Sequence, residues 1–124
     1  MITYLHDLGL VCALGSGAPA VSRALLAADS SGMREANQWV SGRSLTLGAV
    51  RDPLPAMPAG MAAAQSRNNQ LLLAAALQIE APIRQSIARY GAAQIGVVLG
   101  TSTSGIDEAS QCIAIEQRSG ALPH

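Results

Sequence analysis

Lysine is absent from this chain. Its eight basic residues, histidines apart, are all arginines, balanced by eight acids for a formal net charge of zero. A P-loop cradling phosphates requires a lysine, so that route to nucleotide binding is closed. Phenylalanine is absent as well, which leaves Trp39, Tyr4 and Tyr90 as the aromatics. With no basic stripe and so few rings, nucleic acid is not an expected partner. Cysteine occurs twice, as Cys12 and Cys112, with no CxxC pair and no metal-like cluster. The two read as reduced core thiols rather than a disulfide, and no metal or cofactor site is expected from them. No apolar run approaches the roughly 20 residues that span a bilayer. The first residues lack the basic and long apolar regions of a secretory signal. A cytoplasmic location away from membranes is the expectation.

What is present is aliphatic. The 124 residues are 49% hydrophobic and 13% charged, with Ala, Leu, Ile and Val dominant. That is enough apolar surface for the core of one domain, 1–124, or of part of a larger one. The most informative stretch is Ile95-Gly-Val-Val-Leu-Gly-Thr-Ser-Thr-Ser-Gly105, in which apolar β-formers lead into six residues made only of Gly, Ser and Thr. It reads as a buried strand over 94–99, a tight turn and a helix start, the corner at which α/β proteins meet ligands.

The rest of the chain fits an α/β pattern. Residues 2–14 suggest a first strand broken at Gly9. Ser16 or Gly17 can then cap a helix with Pro19 in its first turn, and Val21, Leu25 and Ala28 form its apolar stripe. Residues 29–60, with Pro53, Pro55 and Pro58 and a weak strand at 44–50, read as an excursion lying over the core. The strongest helix is 66–90, capped by Ser66 and stopped at Gly91, with Leu72, Ala76, Ile79, Ile83, Ile87 and Tyr90 on one face. Pro82 lies inside that stripe and must kink the helix near Gln78 or split it; the unbroken phase of the stripe favours a kink. A last helix over 105–118 opens on Ser104 and Asp107 at capping-box spacing, with Ile106, Ala109, Cys112 and Ile113 facing inward.

The chemistry these residues offer is limited. Asp107 and Glu108 fill the first turn of the last helix with negative charge, which satisfies the helix dipole and repels phosphate. His6 reads as a packed or hydrogen-bonded strand residue, and His124 is terminal. Cys112 sits along an amphipathic helix rather than at its N-terminus, where a thiolate is favoured. No serine has a GxSxG setting. Trp39 either anchors its loop on the core or marks an exposed contact. Arg67-Asn68-Asn69 forms a polar first turn that in a larger assembly would face a partner.

The order of elements and two motifs resemble the N-terminal part of the β-ketoacyl-(acyl carrier protein) synthases, condensing enzymes of the thiolase fold. Gly9-Leu10-Val11-Cys12-Ala13-Leu14-Gly15 is similar to the family's Gly-Leu/Met-Val-x-x-Leu-Gly pattern. Ile95 to Gly105 is similar to its Ile/Val-Gly-Val-x-x-Gly-(Thr/Ser)-small-x-(Gly/Ser)-Gly signature. The family's usual Thr-Gly before the first motif is replaced by His6-Asp7-Leu8, and 30–60 matches only loosely. These departures point to a specialised or secondary-pathway synthase, and leave open a non-catalytic, chain-length-factor-like subunit. A small α/β ligand-binding module is the alternative from another class.

The resemblance implies an α/β, partial thiolase-like fold with an incomplete mixed sheet. It implies decarboxylative Claisen condensation in fatty acid or polyketide synthesis, an acyl carrier protein as partner, and a homodimer or a heterodimer with a related synthase. The family's nucleophilic Cys and its two catalytic His lie downstream of the second motif, beyond this sequence, so it should carry no catalytic residue and be inactive alone. One role carries over: Thr103, with Thr101, Ser102 and Ser104 adjacent, falls where the family lines its acyl pocket. A partial sheet leaves strand edges unpaired, so the isolated chain is predicted to self-associate. Sedimentation over a range of concentrations checks this, and a clean monomer throughout refutes it.

Overall fold

The computed structural model describes residues 3–40, 42–101 and 106–120, apart from the side chains at 38–40, 62, 63 and 106–108. Four helices and two separate two-stranded antiparallel hairpins make an α/β arrangement among the described residues. The hairpins stand where a longer first strand and an overlying excursion are expected.

Residues 3–10 form no strand. The first regular structure is a tight hairpin of β1 (Val11–Cys12) and β2 (Gly15–Ser16), with Val11 opposite Ser16 and Cys12 opposite Gly15. Gly15 has φ 137°, a conformation open to glycine and strained for other residues. Helix α1 (Ala18–Leu26) follows directly, with Gly17 as its N-cap and Pro19 in the first turn. There proline's missing N–H costs no intrahelical bond. The Gly17 N–H donates to the Leu10 carbonyl at 2.8 Å, tying the helix start to the residue that precedes β1. Val21, at 8% exposure, is the buried large apolar residue among those described, whereas Leu25 faces solvent and Ala28 lies past the helix end. The expected Val21–Leu25–Ala28 stripe is inward at its first member alone.

The segment after α1 starts with a turn in which the Ser31 N–H donates to the Asp29 carboxylate at 2.7 Å. That bond holds the Asp29 carboxyl below its ordinary pKa, with the Ser31 side chain and Arg51 adding to it. Strands β3 (Met33–Val40) and β4 (Arg43–Gly48) then pair antiparallel, from Met33 opposite Gly48 to Val40 opposite Arg43, with an irregularity between Ala36 and Val40. Gly42, at φ 72°, makes the left-handed connection. The expected weak strand at 44–50 is thus one arm of a hairpin, and its partner was hidden because Arg34, Glu35, Asn37 and Gln38 break any apolar alternation. The two hairpins meet at Ala13: a Cβ on Gly32 would overlap the Ala13 carbonyl oxygen, and one on Gly48 would lie 3.0 Å from the Ala13 Cβ.

The long helical region is two helices, not one kinked helix. α2 (Arg67–Leu77) ends at Gln78, and α3 (Glu80–Tyr90) starts after Ile79, whose φ −117° and ψ 13° lie outside the helix. Pro82 explains the position of the break. It has no N–H to donate to the Gln78 carbonyl four residues back, and its ring crowds that carbonyl. The ladder restarts one residue later, with the Ile83 N–H donating to the Ile79 carbonyl at 3.0 Å. Ser66 and Gly91 cap as expected: the Ser66 hydroxyl accepts the Asn69 N–H at 3.2 Å, and Gly91 takes φ 83°.

The break puts Gln78 to use. The Leu10 N–H donates to Gln78 Oε1 at 3.0 Å, and Gln78 Nε2 donates to the Leu10 carbonyl at 3.1 Å and to Ser16 Oγ at 3.0 Å. One amide side chain therefore pairs with the first hairpin as a neighbouring strand would. Beside it, a Cβ on Gly9 would overlap the Ala75 carbonyl oxygen, so helix and chain touch backbone to backbone.

Past a short 3-10 turn at Ala92–Gln94, residues 95–101 have no strand partner among the described residues. Val97 is 60% exposed, Val98 96% and Leu99 61%. The expected strand 94–99 does not form here because a strand exists only through its ladder, and none of the described residues pairs with it. Helix α4 (Ile106–Ser119) matches the expected one, but Ala109 and Ile113 are exposed and Cys112 only half-buried. His6, expected to be packed in a strand, is exposed.

Two substitutions test the junction between α2 and the first hairpin. Gln78→Leu should cost about 1–2 kcal/mol, since it leaves the Leu10 groups without their partner. Gly9→Ala should cost about 1–3 kcal/mol by forcing a methyl into the Ala75 carbonyl. Urea unfolding of the chain measures both, and midpoints equal to that of the parent sequence would refute the junction.

Candidate functional site

Ser102, Thr103 and Ser104, the residues singled out for an acyl pocket, lie outside the described residues, as do the Ser104–Asp107 capping contact and His124. The site is therefore built from what leads to them. Thr101, next to the run, is described: its hydroxyl donates to Asn68 Oδ1 at 2.7 Å. Asn68 is the second residue of α2, so the Gly/Ser/Thr run leaves from the N-terminal end of that helix.

That helix start is a junction. Ser66 caps it. Arg67 donates to the Val50 carbonyl at 3.2 Å, Asn69 Nδ2 to the Ala64 carbonyl at 2.9 Å, and Gln70 Nε2 to the Pro55 carbonyl at 3.1 Å. Each of these side chains holds a different part of the proline-rich stretch before the helix. Asn68 reaches the other way, to Thr101. The polar first turn thus faces its own chain. The sequence carries a sign of this: five successive polar residues, 66–70, precede an apolar helix, more than capping requires.

The nucleophile candidates are scattered. Cys12 lies in β1 and Cys112 is the seventh residue of α4; both thiols are free and half-buried, and neither is at a helix N-terminus. The His6 ring lies 6.3 Å from that of Tyr4, centroid to centroid, and among the described residues no hydrogen bond joins it to either thiol. Among the described residues no nucleophile and base are brought together, and no group of three metal-ligating side chains occurs. No helix among them is long and apolar enough to cross a membrane. The side chain of Trp39 lies outside the described residues. A groove opens between the second hairpin and α2, lined by Arg34, Glu35, Leu47, Val50, Arg67 and Leu71. The guanidinium of Arg67 is engaged there by Val50.

No protein-family model and no curated protein matches the chain. Among solved structures, a chain of the complex of a ketosynthase (ApeO) with its chain length factor (ApeC) from Xenorhabdus doucetiae is similar at 37% identity and a TM-score of 0.81. The match covers 95% of this sequence and 31% of that chain, so the sequence spans about a third of the neighbour's length. The resemblance carried by the two glycine motifs is borne out: the chain is ketosynthase-like in sequence and in fold.

Proposed function

We propose that this ketosynthase-like chain is the N-terminal region of a 3-oxoacyl-(acyl carrier protein) synthase that forms carbon–carbon bonds by decarboxylative Claisen condensation. The observation that carries this reading is the joint similarity of sequence and fold over 95% of the chain. In the reaction an acyl group is held as a thioester on a cysteine. A malonyl thioester on the carrier protein loses CO2, and the resulting carbanion attacks the acyl carbonyl. A carbon–carbon bond forms, and the cysteine thiolate leaves with the electron pair of the broken C–S bond.

Neither Cys12 nor Cys112 serves as that nucleophile, since neither is set at a helix N-terminus where a thiolate is stabilised. The cysteine and the two histidines of the reaction belong to other parts of the protein. What this region contributes is a wall of the acyl pocket, built by Thr103 with Ser102 and Ser104. The partners are an acyl carrier protein and a second synthase-type subunit, identical or related. The setting is cytoplasmic, and no cofactor is needed.

A second reading is favoured by the neighbour itself, which is a complex of a ketosynthase with a chain length factor. In that case this chain belongs to the non-condensing partner and sets product length from across the interface. One assay separates the two. The intact protein is given acyl and malonyl carrier thioesters, alone and with a paired synthase. Condensation by the protein alone supports the synthase reading, condensation only in the pair supports the chain-length subunit, and none in either refutes both. In the active arrangement Thr103→Phe should shorten the acyl chains accepted, and an unchanged length profile would remove Thr103 from the pocket.

A further inference from the structure

The second hairpin and α2 flank a groove of about 620 Å3, a volume within the roughly 300–1,000 Å3 of small-ligand sites. The strand register decides which side chains face it. Arg34 pairs with Leu47 and Ala36 with Leu45, so these four share one face of the pleat. Arg34, Ala36 and Leu47 border the groove from that face, with Val50 two residues past β4. Arg67 and Leu71, one helical turn apart on α2, border it from the other side. Glu35 also reaches the groove's edge, but alternation puts it with Thr46 on the opposite face of the pleat.

The groove therefore combines an aliphatic floor of Leu47, Val50 and Leu71 with two guanidiniums. Neither guanidinium meets a carboxylate. Among the described residues the ion pair is that of Arg84 with Glu80, and the first turn of α2 carries no acid. Arg67 gives one terminal nitrogen to the Val50 carbonyl at 3.2 Å, which holds its guanidinium at the groove. Its other N–H groups, and the whole guanidinium of Arg34, have no partner among the described residues. A planar guanidinium matches a carboxylate with two parallel hydrogen bonds, and aliphatic side chains match a hydrocarbon chain.

We propose that this groove binds a free aliphatic carboxylate, with its head between Arg34 and Arg67 and its chain along Leu47, Val50 and Leu71. An ester or thioester of the same chain has no charge to offer the arginines, so the groove selects the free acid. The proposal does not rest on the synthase reading: no residue after Leu71 lines the groove, and the Gly/Ser/Thr run takes no part.

The test is photo-crosslinking of the intact protein with an octanoic acid that carries a diazirine in its chain, the labelled peptides being mapped by mass spectrometry. Label should fall within 45–50 and 67–71. Excess octanoate should suppress it, and methyl octanoate should not. Arg34→Gln and Arg67→Gln should each weaken this labelling about tenfold, as for loss of one charged hydrogen-bonding partner. Arg67→Gln also loses the Val50 contact, so Arg34→Gln decides the matter should the other variant unfold. Label found only elsewhere, such as on the exposed Val97–Leu99, would overturn the site. Equal suppression by methyl octanoate, or parent-level labelling of Arg34→Gln, would overturn the role of the arginines and the proposal with it.

Discussion

The missing N–H of Pro82 sets the geometry of the helical region and, through it, of the hairpin that packs there. A proline four residues past Gln78 denies that residue's carbonyl its helical partner, so the chain must leave the helix between α2 and α3. Once released, the Gln78 side chain is at the end of α2 and can turn to the first hairpin. There it satisfies both backbone groups of Leu10 and the Ser16 hydroxyl. A two-residue pairing such as β1 with β2 has little stability of its own, and a third partner is what such hairpins usually need. The amide of Gln78 takes that place without a strand.

The same helix organises its surroundings from its other end. The stretch from 49 to 66 has three prolines and no strand, so its carbonyls have few backbone partners. Arg67, Asn69 and Gln70 supply donors to Val50, Ala64 and Pro55 in turn. Polar side chains at a helix start commonly accept from the helix's own N–H groups, as Ser66 does; here Arg67, Asn69 and Gln70 instead donate to the incoming loop. α2 therefore joins three otherwise separate pieces: the first hairpin at its C-terminus, the proline-rich loop and Thr101 at its N-terminus.

This division explains what was legible in the sequence. Helix ends were, because a cap is a local event: Ser66, Gly17 and Gly91 act within a few residues of themselves. The first glycine motif was, because glycine records contacts and angles that no other residue permits, whereas Gly96 and Gly100 of the second stand in open space. Gly9 meets the Ala75 carbonyl, and Gly15 takes a φ of 137°. The strands over 2–14 and 94–99 were not, since their apolar residues announce burial but not the neighbour that would provide it. The β3–β4 hairpin was missed for the opposite reason. Its pairing is made by backbone and a turn glycine, with polar side chains on a strand that carries no alternation. The split at Gln78 was misjudged because periodicity can keep phase across a break that the backbone cannot avoid.

The polar and apolar parts of the candidate site differ in how far this chain completes them. The polar contacts around Asn68 close within it, since every donor named there finds an acceptor in residues 50–101. The apolar contacts do not close: Val97, Val98 and Leu99 stand in solvent beside Thr101, in a chain that is nearly half hydrophobic. A run of β-branched and aliphatic residues is stable in such a place only when other surfaces cover it. This sequence spans about a third of the ketosynthase-complex chain it resembles, and among the described residues no surface covers this run. The stretch up to Thr101 is thus tied at its polar end to α2, while its apolar residues find no cover among the described residues.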